Sequence, residues 1–377
     1  MKIAYIATSD IPSQKANSIQ VMKVCQALQQ NGNQVHLYVP GRAPINWDQL
    51  SAEYGVQERF PISRIAEWRK LRHLDFAWRS LKAAQHSGAE VVYTRMLWVG
   101  WFAQRLGMPV ILEMHDLPTG KAGPRLYRSI VRSRRQKLLV YITSALKRLT
   151  DTSTGCAVGD HEFIIAPDGV DLERYQNLPT PGEAREQLNL PDRLTAAYSG
   201  SFYEGRGLDA LVELARAFPK VHFLWIGGTA AAVADWKEKL SAEGLKNVTL
   251  TGFIENAQLP LYQAAADILL IPYSRKVAGS RGGDIAAVNS PLKLFEYMAA
   301  GRAILCSDLP VLREVLNETN AVFYTPEDLG DMTAGFDALV KDEGKRQALA
   351  AQALSDVNQY EWKARMHKIM QAYLITS

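Results

Sequence analysis

The chain has 377 residues, 47% of them apolar and 22% charged, with a formal net charge of +4. That length allows two domains with separate cores, and the composition is that of a soluble globular protein. Its apolar runs fall well short of the roughly 20 residues that cross a bilayer, and its three scattered cysteines, Cys25, Cys156 and Cys306, fit neither a disulfide framework nor a zinc site.

In chain order, Met1-Lys2 leads directly into a strand over 2–8, without the apolar region and cleavage site of a secretory signal, so a cytoplasmic location is expected. A helix over 18–30, capped by Asn17 or Ser18, precedes a strand over 34–39. Helices over 76–86 and 98–106 then alternate with strands over 90–94 and 109–114, residues 125–150 read as mainly helical, and 163–167 as a strand. This order predicts a parallel sheet covered on both faces, with function at the C-terminal ends of its strands.

Residues 171–190 hold the proline and glycine content of a linker, and the alternation restarts after them. Strands are expected over 195–199, 221–226, 248–251, 268–272, 303–306 and 321–325, and helices over 208–217, 232–243, 259–265 and 291–300. The expected architecture is α/β, with two Rossmann-like doubly wound domains, 1–170 and 191–360, facing each other across a cleft. A last helix falls within 361–377 and carries Trp362, Met366, Ile369, Met370 and Tyr373 at helical spacing.

The most informative segment is Asn289-Ser-Pro-Leu-Lys-Leu-Phe-Glu-Tyr-Met-Ala-Ala-Gly301. Ser290 and Pro291 read as a hydroxyl cap followed by proline at the first helical position, which leaves backbone N–H groups free for an anion. Glu296 falls a turn and a half inside that helix. A second anion-binding candidate is Ser199-Gly-Ser-Phe-Tyr-Glu-Gly-Arg-Gly207, where Gly200, Gly205 and Gly207 permit close backbone approach and Arg206 can bind phosphate oxygens. An ordinary strand-to-helix turn is the plainer account of it. Gly227-Gly228 follows another strand end and carries a weaker signal.

His115, at a strand end in Glu113-Met-His115-Asp116, could bond a hydroxyl or move a proton near neutral pH. A structural histidine is the alternative. The dinucleotide fingerprint, the P-loop and the serine-hydrolase elbow are all missing, and no histidine pair has metal-ligand spacing. Between Lys121 and Thr150 stand nine Lys or Arg and no Asp or Glu. Arg125, Arg128, Arg132 and Arg135 are spaced as one helical face, which predicts either contact with an anionic membrane surface or acceptor, or a merely solvated face. Nucleic acid is disfavoured, because no aromatic residues interleave the arginines.

Taken together, residues 199–208, 167–171, 251–253, 271–273 and 290–301 resemble the retaining glycosyltransferases of family four, which have the GT-B fold. The resemblance runs through almost the whole chain in order. It implies an acceptor-binding first domain, a second domain that binds a nucleotide sugar, and a final helix returning to pack on the first. Glu296 matches the second glutamate of the family's Glu-x7-Glu motif, which binds ribose hydroxyls. Arg206 matches a basic residue that neutralises the diphosphate, Gly207 the glycine after it, and His115 a histidine near the donor sugar. Phe253 would lie along the base, and Gly200, Ser201, Gly227, Gly228, Ser290 and Leu292 would line the donor site.

Two positions depart from the pattern. Val288 stands where the first glutamate belongs, and Ser201 where an arginine is common. Lys293 and Ser290 could supply the charge and the hydrogen bond near the phosphates, and Asp284 could approach the sugar. The implied activity is transfer from a nucleoside-diphosphate sugar, a UDP- or GDP-sugar first, to a hydroxyl of a glycan, a lipid-linked acceptor or a small molecule. No cofactor or bound metal is expected. A nucleotide-sugar 2-epimerase and a non-catalytic sugar-nucleotide-binding protein are the alternatives, Val288 favouring the second. A peripheral position at the inner face of the membrane follows only from the arginines.

Overall fold

The computed structural model describes residues 1–66, 72–278 and 284–376. Two compact units result, the first formed by Met1–Gly169 with Trp362–Ser377 and the second by Val170–Glu361.

The first unit runs β1 (Lys2–Ile6), α1 (Ala16–Gln30), β2 (Gln34–Pro40), α2 (Trp47–Tyr54), β3 (Ile62–Ile65), α3 (Arg72–His86), β4 (Val91–Thr94), α4 (Leu97–Arg105), β5 (Val110–Met114), α5 (Gly123–Val131), β6 (Lys137–Tyr141), α6 (Ser144–Thr154) and β7 (Phe163–Ile165). Its described strands pair in parallel in the order β3-β2-β1-β4-β5-β6-β7. The order reverses between β1 and β4, and such switch points are where doubly wound sheets hold ligands. Every residue of β4, β5 and β6 is buried, as expected of strands covered on both faces by helices.

The second unit contains α7 (Pro181–Gln187), β8 (Thr195–Ser199), α8 (Leu208–Ala217), β9 (His222–Ile226), α9 (Ala230–Ala242), β10 (Val248–Gly252), α10 (Leu259–Ala264), β11 (Ile268–Ile271), α11 (Leu292–Ala299), β12 (Ala303–Ser307), α12 (Pro310–Arg313), β13 (Val322–Tyr324), α13 (Leu329–Lys341) and α14 (Glu343–Asp356). Its parallel strands follow the order β10-β9-β8-β11-β12-β13, with the reversal between β8 and β11. Trp225, Phe223 and Phe336 anchor its core. The segment read as a linker is not a structureless connection: a 3-10 turn (Leu172–Tyr175) and α7 fall within it, and Arg185 of α7 binds Asp267 at 3.0 Å.

The chain then returns as α15 (Trp362–Ile375), which packs on α1, β6 and β7 of the first unit. Its Trp362, Met366, Ile369, Met370 and Tyr373 are all buried.

Three sequence expectations are corrected. Residues 125–150 are helical at both ends, in α5 and α6, but not continuously so, because the unexpected strand β6 lies between them with Lys137 buried against Ser133 and Glu162. The arginines therefore share no single helical face: α5 ends at Val131, Arg132 is its C-cap and Arg135 lies in the turn beyond. Ser290 does not cap α11, since Pro291 occupies the N-cap in an extended conformation without a side-chain cap bond. Proline there presets the backbone, and its missing N–H costs nothing where no helical partner exists.

Candidate functional site

In the second unit the ends of β8, β9 and β11 and the start of α11 gather the polar groups. Gly200 follows β8, and a Cβ there would stand 2.8 Å from Lys293 Nζ, so any side chain would displace the end of this lysine. Gly227 follows β9, and its missing Cβ makes room for the Gly200 carbonyl, which would otherwise lie 2.3 Å away. Both glycines have positive φ, 142° and 116°, so a side chain is excluded by conformation as well as by space.

Lys293 and Arg206 meet in this pocket of aromatic rings. Lys293 Nζ lies 3.7 Å from the Tyr198 centroid and 5.3 Å from that of Tyr273, and Arg206 lies 4.9 Å over the same Tyr273 ring. Lys293 Nζ and Arg206 Nε are both buried without a hydrogen-bond partner among the described residues. Burial, and then the Arg206 charge, push the Lys293 ammonium well below its ordinary range, while Glu296 opposes them. Two neighbouring cations with buried, unused donor atoms are costly unless an anion answers them.

Glu296 lies one turn from Lys293 on α11. Its Oε2 accepts from Gln263 Nε2 at 3.4 Å, and the same amide nitrogen donates to Ser199 Oγ at 3.2 Å. The Gln263 carbonyl accepts from the Tyr175 hydroxyl at 2.9 Å. On the next position of α11, the Tyr297 hydroxyl accepts from Ser199 N at 2.7 Å. These bonds fix the helix against the end of β8. Tyr175, Tyr198, Gln263, Tyr273 and Tyr297 are not singled out from the sequence, although Tyr273 and Tyr297 stand in segments that carry the family resemblance.

The remaining donor-side candidates are placed as follows. Ser201 accepts at its carbonyl from the Tyr198 hydroxyl at 2.8 Å, Gly207 is the N-cap of α8, and Gly228 faces the Phe202 ring. Phe253, just past β10, is 49% exposed, Leu292 is half-buried, and Ser290 is buried. Val288 is also buried, so its position offers an apolar side chain and no carboxylate. Asp284 is exposed, and its Oδ1 accepts from Val277 N and Ala286 N, each at 2.9 Å. It thus braces its own loop, whose residues 279–283 lie outside the described residues.

The first unit holds a second polar centre at the end of β5. Glu113 is fully buried, and its Oε1 accepts from Gln20 Nε2 at 2.7 Å, His115 Nε2 at 2.6 Å and Arg365 Nη2 at 3.1 Å. Tyr93 donates to Oε2. Burial acts to raise the Glu113 pKa, but Arg365 and His115 outweigh it and hold the carboxyl below its usual range. An ionised Glu113 only accepts, so His115 carries its proton on Nε2 and leaves Nδ1 as the outward acceptor when neutral.

Asp168 completes a set in which ligand atoms of Glu113, His115 and Asp168 lie within 4.8 Å of one another. That set could hold a metal ion, yet Glu113 Oε1 is already shared by three donors and the Arg365 guanidinium supplies the positive charge. Arg365 also donates to the carbonyls of Pro167 and Ala166, at 2.6 and 2.9 Å, which fastens α15 to the turn after β7. No local sequence signal pairs Arg365 with Glu113.

Of the basic-run candidates, Arg125 is exposed and donates to Lys121 O, whereas Arg128 is half-buried and bonds Thr154 O at 3.1 Å. Arg132 and Arg135 are exposed.

Known proteins resemble this chain in sequence and fold. Residues 18–174 match the family model described as Glycosyltransferase Family 4, and residues 193–342 the model described as Glycosyl transferases group 1. The phosphatidyl-myo-inositol mannosyltransferase of Mycolicibacterium smegmatis is 24% identical over 274 residues, which cover 70% of this chain and 64% of that protein. The match thus spans less than two thirds of this relative's length. Anabaena HepE, solved in complex with UDP, matches in structure with a TM-score of 0.76 at 16% identity, covering 98% of this chain and 99% of that one. Sucrose-phosphate synthase from Thermosynechococcus elongatus also matches with a TM-score of 0.76, at 18% identity and 99% and 98% coverage. With two parallel sheets of this strand order and both family models matched in sequence, the chain belongs to the glycosyltransferases of family four, group 1 type, and has their GT-B fold.

Proposed function

We propose that this protein transfers a sugar from a nucleoside-diphosphate sugar to an acceptor hydroxyl, with retention of anomeric configuration. The observation that carries the reading is the pair of a buried Lys293 and a half-buried Arg206, whose Nζ and Nε are buried atoms without hydrogen-bond partners among the described residues. A diphosphate is the anion that would use both, together with the positive N-terminal end of α11. Glu296, one turn away and held by Gln263, is assigned to the ribose hydroxyls. UDP in the Anabaena relative supports a nucleotide donor, and UDP- or GDP-sugars are the first to test.

In the proposed reaction the bond between the anomeric carbon and the diphosphate oxygen breaks as the acceptor oxygen bonds that carbon from the same face. The acceptor proton passes to the departing diphosphate. Negative charge grows on the leaving group, and fixed donors aimed at it lower the barrier. Arg206 and Lys293 fill that part here without a metal ion. His115, oriented from Nε2 by Glu113, is assigned to a sugar hydroxyl through Nδ1, and Asp284 to the sugar in place of the missing first glutamate. The name of the mycobacterial relative supports a lipid-linked acceptor, and the basic run a peripheral place at the cytoplasmic face of the membrane.

A thermal-shift screen against UDP-, GDP-, ADP- and dTDP-sugars tests the donor reading. A ligand at about 100 times its dissociation constant adds roughly 2.7 kcal/mol of stability, and no shift with any of them sinks it. Retention is read from the anomeric coupling of the product by NMR. Isomerisation of the nucleotide sugar alone would identify an epimerase. Tight binding without transfer or hydrolysis would identify a non-catalytic protein.

A further inference from the structure

The helices α3 and α4 of the first unit carry large aromatic residues that its core leaves partly uncovered. Trp78 on α3 is 42% exposed and meets Phe102 of α4 edge-on at 5.7 Å. Trp98, Trp101 and Phe102 form a cluster on α4, with centroids 5.0 to 6.1 Å apart, and all three are half-buried. Leu74, one turn before Trp78, is 37% exposed. Continuous apolar patches of this kind mark interaction surfaces, whereas single exposed residues do not.

Cations border the rings. Lys82 Nζ lies 5.0 Å over Trp78 and the Arg105 guanidinium 4.1 Å over Trp101, and both residues are exposed. The patch continues onto α5, since Trp101 Nε1 donates to Ser129 Oγ at 3.1 Å. Arg135 lies against Gly107, just past α4, with its Nη1 3.2 Å from where a Cβ would be. Arg125, Arg132, Arg134 and Arg135 are exposed, and no Asp or Glu stands between Lys121 and Thr150. On α3, Asp75 is paired with Arg79 at 3.0 Å.

We propose that the aromatic face of α3 and α4, with α5 and the arginine-rich turn that follows it, docks on an anionic lipid bilayer, with the rings at the level of the headgroups and the arginines on lipid phosphates. Tryptophan favours that boundary because one part of its ring is apolar and the N–H is polar, and long cationic side chains lie along apolar surface with their charge in water. The charge of the 121–150 segment is one-signed, and Asp75 on α3 is answered by Arg79, which suits an anionic leaflet. The proposal deepens the membrane-surface reading above, and it is tested apart from catalysis.

The test is flotation of the full chain with vesicles of phosphatidylcholine alone and of phosphatidylcholine mixed with phosphatidylglycerol. Binding is expected to the mixed vesicles only and to weaken with salt. Trp78→Ser should lower partitioning by roughly 10-fold through lost apolar contact. Arg132→Glu and Arg134→Glu should each lower it by at least about 5-fold. Leu329→Ser, a similarly exposed change in the second unit, should leave it unchanged, and melting curves confirm that all variants are folded. Loss with the arginine variants but not with Trp78→Ser overturns the aromatic docking face and leaves a purely electrostatic membrane contact. Absence of binding to either vesicle overturns both. A dimer in sedimentation that Trp78→Ser abolishes, without vesicle binding, assigns the face to a second copy and overturns the proposal.

Discussion

Lys293 presents its ammonium to the face of Tyr198, with Nζ 3.7 Å from the ring centroid, and has no hydrogen-bond acceptor among the described residues. A cation–π contact offsets only part of the desolvation, about 2 kcal/mol at best, so the lysine stays depressed below its ordinary 10.5. An anion bound beside it reverses that shift. Between the depressed value and 10.5, binding of a nucleoside diphosphate must therefore take up a proton, and affinity must fall as pH rises. Calorimetry in buffers of different ionisation enthalpy, above the phosphate's own pKa of about 6, measures the uptake. Lys293→Met should remove it, and an unchanged uptake in that variant would assign the proton elsewhere.

Glu296 should separate ribose from phosphate recognition. Charge-assisted hydrogen bonds are worth about 1.5–3 kcal/mol each, so Glu296→Ala should weaken a nucleoside diphosphate by roughly 10- to 100-fold. Inorganic pyrophosphate has no ribose, and removing a nearby carboxylate should leave its affinity equal or slightly improved. Equal losses for both ligands would mean that Glu296 acts by holding α11 in place.

The fold was legible where burial leaves an uninterrupted mark. Short apolar stretches inside β5, β8 and β12 (Val110–Leu112, Ala196–Tyr198 and Ala303–Cys306) announce these strands, and Gly301, left-handed at φ 61°, ends α11 as glycine commonly does. The strand β6 was hidden because Lys-Leu-Leu-Val-Tyr begins with a cation and follows an arginine run whose spacing imitates a helix. The short α2 and the half-buried β3 carry too few periodic residues to register. Within the site, Glu296, Arg206, Lys293 and His115 stood in recognisable segments. Their supports did not, because Gln263 reaches Glu296 across 33 residues and Arg365 reaches Glu113 across 252.

Asp284 has two separable roles. Its Oδ1 accepts from Val277 N and Ala286 N, which holds its carboxyl below the usual range. Asp284→Asn keeps an acceptor for the loop and removes the charge, whereas Asp284→Ala removes both. If the carboxylate binds the sugar, both variants should lose at least about 10-fold in kcat for transfer or donor hydrolysis. Near-normal kinetics for the asparagine variant, with loss only in alanine, would reduce Asp284 to a brace for the loop.

The Glu113–Arg365 pair should couple α15 to β5. Breaking a buried ion pair by removing one partner costs about 3–5 kcal/mol, because the other charge stays buried and unanswered. Glu113→Gln and Arg365→Met should therefore each lower the melting temperature of the full chain by on the order of 10 °C. The double variant strands neither charge of the pair, so its loss should be clearly smaller than the sum of the single losses. The pH dependence has a definite sign. Burial opposes ionisation of Glu113, but Arg365 and His115 outweigh it, and a carboxyl held below its ordinary 4.5 stabilises the fold above that value. This stability is lost only as acid carries the pH down through the depressed value, so wild type should keep it at pH 5. Additive losses in the double variant would mean that Arg365 holds α15 through the Pro167 and Ala166 carbonyls alone.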